Sequence, residues 1–222
     1  MTVFLVGGSP DATCPVRLAP GRGDRVIAAD LGARHALDWG WPVHRLVGDF
    51  DSLPAETAAA LAATGVSVRR APVEKDETDL ELALTEALAQ GDEPIVIAGA
   101  IGGRADHALA NLLLLLRPDL ANRDVSLVDG AQTVRLLSAA AGQVEMTIVG
   151  APGDLLSLMP AAADATGITT QGLRYPLHDE ALHAGEARGI SNVFTAGRAT
   201  ISLAGGQLFV VHTAPWDGRQ GG

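Results

Sequence analysis

From Thr2 to Gly130, short apolar runs alternate with stretches of helical spacing, and beyond Asp129 that alternation stops. The runs are TVFLVGG, RVIAAD, RLVGDFD, VSVRRAP, PIVIAGA and VSLVDG, and they read as buried strands. Between them, LGARHALDWG, PAETAAALAATG, ETDLELALTEALAQG and RADHALANLLLLLR read as helices; Leu80, Leu84 and Leu88 fall on one helical face with Ala83 and Ala87. Strand, helix, strand in repetition predicts a mostly parallel, Rossmann-like sheet with helices on its faces. Pro54 is expected just inside one helix, Asp76 or Thr78 as the cap of another, and Gly65 and Gly91 as closing residues.

Beyond Asp129 the grammar is that of antiparallel β structure. TVRLLS, QVEMTIVG, DLLSLMP, ITTQGLRYP and RATISLAGGQLFVVHT are separated by Gly, Pro and polar turns, with no long helical pattern among them. Gly205-Gly206 between two β-rich runs predicts a hairpin. The expected organisation is an α/β domain over residues 1–138 and an antiparallel β-sandwich over 139–222, with the tail DGRQGG a loose end.

Composition narrows the function classes. Sixteen basic against 26 acidic residues leave a formal charge of −10, which repels polyanions and argues against a nucleic-acid partner. Cys14 is alone, so neither an internal disulfide nor a Cys-rich metal module is available. The start, MTVFLVGGSPDATC, has the form of neither a secretory signal nor a targeting helix. The apolar stretch from Ala108 to Leu116 falls well short of the ~20 residues a bilayer span needs. The expectation is a cytoplasmic protein without a membrane partner.

Four segments carry residue types that do chemistry. Gly48-Asp49-Phe50-Asp51-Ser52 sets two carboxylates at i and i+2 where a strand ends, projecting to one side of the pleat. Hard oxygen donors there suit Mg²⁺, and they equally suit capping of a turn. Glu74-Lys75-Asp76-Glu77-Thr78-Asp79 opens a helix; acidic residues in a first turn compensate the dipole, yet Asp76 and Asp79 can also face one way beside free N–H groups. Gly102-Gly103-Arg104-Ala105-Asp106-His107 follows a strand, with glycines that admit a ligand to the backbone and a guanidinium that matches phosphate oxygens. It is neither a Walker A loop nor a full dinucleotide fingerprint. Finally, Tyr175 is the one tyrosine of the chain, suited to stack a heterocycle, and Ser191 and Asn192 offer polar edges; a hairpin turn with a half-buried tyrosine explains the same residues.

In order, GDFDS, EKDETDLELAL, GGRADHALAN, TGITTQGLRYPL and GISN resemble the motifs of the thiamine pyrophosphokinase family across nearly the whole chain. The resemblance implies a two-domain homodimer with its active site at the subunit interface, transferring the pyrophosphoryl group of ATP to the hydroxyl of thiamine and leaving AMP. It implies Asp49, Asp51 and Asp79 as Mg²⁺ ligands, with Asp30, Asp76, Gly102 and Gly103 by the nucleotide. Thr78, Arg104 and Asp106 would lie by the transferred group, with Asp79 or Asp106 as proton acceptor. Tyr175 would stack on thiamine from the partner subunit, and Ser191 and Asn192 would contact its pyrimidine. A metal-dependent nucleotide phosphohydrolase and a non-catalytic thiamine or nucleotide binder remain alternatives on the same residues.

Overall fold

A computed structural model describes residues 1–215, so the expected loose tail DGRQGG lies outside the described residues. The chain divides into two compact units, Met1–Gly130 and a second from Ala131 onward. The division falls eight residues before the 138/139 boundary read from the sequence, because Gln132–Ser138 pairs along its length with Gln207–Thr213. Its alternation therefore belongs to the β grammar of the second unit.

The first unit is built on strands β1 (Val3–Val6), β2 (Arg25–Ala29), β3 (Arg45–Gly48), β4 (Ser67–Arg70), β5 (Ile95–Ala98) and β6 (Val125–Asp129). They lie in the order β6-β5-β1-β2-β3-β4, and every pairing is parallel. The connecting helices are α1 (Gly32–Asp38), α2 (Ala55–Ala63), α3 (Asp79–Leu88) and α4 (Ala105–Leu113). Strands β1 and β5 are buried throughout, as continuous apolar runs in a covered parallel sheet must be. β4 departs from its reading as a buried strand: at the sheet edge all four residues of SVRR are exposed, and the arginines supply the charge that discourages edge pairing.

Helix ends follow side-chain chemistry only in part. Thr78 caps α3, its Oγ1 accepting the Glu81 N–H at 3.2 Å, and α3 packs on β1, β2 and β3 through Leu80, Ala83, Leu84 and Ala87. Pro54 sits at the N-cap of α2 rather than inside it, since its ψ of 130° is not helical. Phe4 meets Trp41 edge to face at 5.4 Å in the core beneath α1.

The second unit has two antiparallel sheets. One contains β7 (Gln132–Ser138), β9 (Leu155–Pro160), β12 (Asn192–Val193) and β14 (Gln207–Thr213), ordered β12-β9-β14-β7; the other contains β8 (Glu145–Val149), β10 (Ala165–Gln171), β11 (Glu180–Leu182) and β13 (Arg198–Ser202), ordered β11-β10-β13-β8. Leu137, Leu156, Leu208 and Val210 from the first sheet pack with Ile148, Ile168, Ala199 and Ile201 from the second, so the core is that of a sandwich. Gly205-Gly206 does not close a hairpin. β13 pairs with β8 and β10, and β14 pairs with β7 and β9, so the turn carries the chain from one sheet to the other.

Candidate active site

In the first unit the chain runs β1 to β4 in one direction across the sheet and returns to place β5 on the other flank of β1. The loops after β1 and β5 therefore part at the carboxyl edge, where open parallel sheets form ligand crevices. A cleft of about 400 Å³ opens there, lined among others by Gly8, Asp30, Asp49, Asp51, Asp79 and Arg104.

Carboxylate oxygens of Asp30, Asp49 and Asp51 all lie within 4.8 Å of one another. Asp30 follows β2 with a left-handed φ of 44°, and Phe50 has a φ of 63°. The left-handed Phe50 bends the chain between the two aspartates of GDFDS, so their approach comes from a turn and not from strand pleat; the Asp51 N–H donates to Asp49 Oδ1 at 3.2 Å. Gly48 is the floor of the cluster: a Cβ at its φ of 150° would come 3.2 Å from Asp30 Cβ and 3.3 Å from Asp79 Cγ. A side chain here would displace the carboxylates on both sides.

Charge in the cluster is unevenly compensated. Lys75 Nζ donates to Asp49 Oδ2 at 2.6 Å and lies 3.1 Å from Asp79 Oδ1. The Lys75 hydrogen bond holds the Asp49 carboxyl below its usual range. Burial pushes the carboxyls of Asp30 and Asp79 up. Asp30 Oδ1 is buried with no hydrogen-bond partner, the condition in which a buried anionic oxygen is most costly without a cation. Three hard oxygen donors with one orphaned among them fit a small divalent cation such as Mg²⁺. Asp79, expected in the ligand set, is turned to Lys75, and Asp30 completes the close triad.

The other expected residues divide between two places. Thr78 lines the cleft while its hydroxyl caps α3, and Asp76 is exposed outside the lining. Gly102 lines the cleft; Gly103 has φ 64°, and a Cβ there would strike the Pro10 ring at 2.5 Å. Arg104 and Asp106 are exposed and bind each other through Nε at 3.1 Å and Nη2 at 2.7 Å, which together with the His107 N–H holds the Asp106 carboxyl at about 2. In the second unit Tyr175 is 62% exposed. Its N–H donates to Asn192 Oδ1 at 3.0 Å and its carbonyl accepts from Asn192 Nδ2 at 2.7 Å, while Ser191 has φ 59° and donates its N–H to Ser157 Oγ. The Asn192 amide is thus occupied in pinning the Tyr175 backbone.

Sequence reasoning missed Gly7, Gly8, Ser9, His107 and Asn111 as lining residues, and Lys75 as the cluster's ion-pair partner. Gly7-Gly8 directly after the first apolar run was the available signal, since a bare backbone there is what a crevice at a strand's carboxyl end requires. Lys75 carried none, because one Lys among acidic residues reads as a solvated charge.

Fold and site together define an α/β protein with a carboxylate cluster and Gly-rich turns at the carboxyl edge of a parallel sheet, the layout on which such folds seat phosphate-bearing ligands. Residues 21–128 match the family model for the thiamin pyrophosphokinase catalytic domain, and 145–208 match that for the thiamin pyrophosphokinase vitamin B1 binding domain. The chain is 30% identical to the thiamine pyrophosphokinase of Bacillus subtilis over 84% of its own length and 86% of that protein. The crystal structure of thiamine pyrophosphokinase from Bacillus subtilis superposes with a TM-score of 0.85 at 29% identity, covering 97% of this chain and 100% of the other. That of a thiamin pyrophosphokinase family protein from Enterococcus faecalis gives 0.85 at 28%, with the same coverage. The chain belongs to the thiamine pyrophosphokinase family.

Proposed function

We propose that this protein transfers the pyrophosphoryl group of ATP to the hydroxyl of thiamine, giving thiamine diphosphate and AMP. The observation that carries this reading is the convergence of Asp30, Asp49 and Asp51 in a cleft at the carboxyl edge of the sheet, in a chain of this family. In it, Asp30, Asp49 and Asp51 hold Mg²⁺, with Asp79 beside them. A bound divalent cation screens the polyphosphate and stabilises charge on the phosphoryl oxygens. The remaining work is positioning. The bare backbone at Gly7-Gly8 and Gly102 admits phosphates close to the sheet edge, and Arg104 presents a guanidinium at the rim. Asp106 is a poor proton acceptor while Arg104 holds it so acidic. That leaves Asp79, in the cleft, as the better placed carboxylate for the alcohol proton.

The exposed Tyr175 ring, its backbone pinned by Asn192, is the thiamine-stacking surface in this reading. A homodimer with its site at the subunit interface belongs to the same proposal, supported by the motif resemblance. Among the described residues no helix is long and apolar enough to cross a membrane. Cytoplasmic residence is part of the proposal and is supported by the lone cysteine.

The test follows nucleotide and thiamine together. AMP and thiamine diphosphate should appear in equal amounts, only with thiamine and Mg²⁺ both present. Asp51→Asn should slow turnover by about 10²-fold or more without changing the melting temperature, as loss of a charge-stabilising group does. Nucleotide breakdown at full rate without thiamine would instead identify a phosphohydrolase.

A further inference from the structure

We infer that Lys75 is the resident counter-ion of the carboxylate cluster, holding the cation-free site together and giving way when a divalent cation binds; this rests on the reading of the cluster as a cation site. Lys75 lies in the segment between β4 and α3, and its side chain is only 11% exposed. A buried ammonium needs partners, and this one has two carboxylates, Asp49 at 2.6 Å and Asp79 at 3.1 Å, with the Pro72 carbonyl at 3.2 Å. Among the described residues, Lys75 alone forms a salt bridge to any of Asp30, Asp49, Asp51 and Asp79.

The arrangement solves a problem that the cleft poses before substrate arrives. Asp49 is 8% exposed and Asp30 is 7% exposed, and oxygens of both lie within 4.8 Å of each other and of Asp51. Like charges so close, with little water, repel strongly unless a cation stands among them. Lys75 supplies one charge from within the chain, but it reaches only the Asp49 and Asp79 side; Asp30 Oδ1 is left without a partner, and Asp79 Oδ1, 3.1 Å from the ammonium, makes no hydrogen bond. A small divalent ion that satisfies Asp30, Asp49 and Asp51 competes with Lys75 for Asp49. Once Lys75 withdraws, Asp79 loses its ion pair and turns available to the same site or to the substrate. Lys75 is therefore a positioning residue that holds Asp49 and Asp79 on one shared ammonium until the ion takes over. It also sets a threshold on how tightly the empty site binds a cation.

Calorimetric titration of MnCl₂ into the full chain, with no nucleotide present, reads this directly. Lys75→Met should bind Mn²⁺ about tenfold or more tightly than the parent protein, because a competing unit charge has been removed at contact distance. Lys75→Arg, which keeps the charge, should stay within about twofold of the parent by the same Coulombic argument. In thermal melts without divalent ions, Lys75→Met should melt below the parent, and Mn²⁺ should raise its melting temperature by more than it raises the parent's. Lys75→Gln serves the same comparison should the methionine variant not fold. Unchanged or weaker Mn²⁺ binding on loss of the charge overturns the counter-ion role, as does equal tightening in the arginine variant. Asp51→Asn separates the two ideas. If it weakens Mn²⁺ binding while Lys75→Met fails to tighten it, only the counter-ion role falls; if it binds as the parent does, the cation-site reading falls with it.

Discussion

Arg104 and Asp106 stand on open surface two residues apart, and their pairing decides what each can do. The guanidinium and the His107 N–H together hold the Asp106 carboxyl at about 2, against a usual 3.8. A folded-state value below the unfolded one means that the pair's contribution to stability is fully present above 3.8 and is lost as pH falls through about 2. Carbon-detected titration of the Asp106 carboxyl should therefore show a midpoint near 2, and Arg104→Gln should move it back toward 3.8. A midpoint unchanged in the variant would mean that the pair does not form in solution. Chemistry at this scale was legible in residue type and less so in role. GDFDS announced a carboxylate pair, but the left-handed Phe50 that brings the two together follows from no propensity, since a bulky residue seldom adopts positive φ.

At the scale of elements, the stress points are where polar groups are buried. Asp154, ahead of β9, is fully buried; its Oδ2 accepts the Ala151 N–H at 3.0 Å and faces His212 Nε2 at 2.7 Å on β14, beside the Phe194 ring. This carboxylate ties the turn before β9 to the strand that β9 pairs with. Asp154→Ala leaves a buried N–H and an imidazole without their acceptor and should cost roughly 1–3 kcal/mol in urea denaturation. Asp154→Asn, which retains an oxygen, should lose less; equal stability in all three proteins would remove the tie. Apolar runs and helical spacing located the parallel strands and the four helices because periodicity reports burial directly. What they did not report was position in the sheet. VSVRRAP reads as one more strand of the parallel sheet, yet SVRR sits at an edge, and a Gly-Gly between two β runs looks the same whether the strands pair or part into facing sheets.

Over the whole molecule, the work divides between an α/β unit that gathers charge and a β-sandwich that displays a ring. Tyr175 is exposed on a backbone fixed by Asn192, so replacing it should affect binding without unfolding anything. Tyr175→Ala should raise the KM for thiamine by about tenfold, in line with the loss of one aromatic stacking contact, and leave the KM for ATP nearly unchanged. Equal effects on both substrates would mean that the tyrosine serves the fold and not the vitamin. The two-part plan was legible because the sequence changes grammar once, from alternating strand and helix to β runs alone. The cleft's full lining was not, since Gly7, Asp30, Asp49 and Gly102 come from loops after separate strands and Asp79 from the start of α3.

The claim on which the account depends is that Asp30, Asp49 and Asp51 share one divalent ion. An anomalous difference map from crystals grown with Mn²⁺ and a non-hydrolysable ATP analogue tests it most directly. The expected map has a peak held by those three carboxylates with the analogue's phosphates against it; a peak elsewhere, with the three side chains turned apart, would rule out a shared ion.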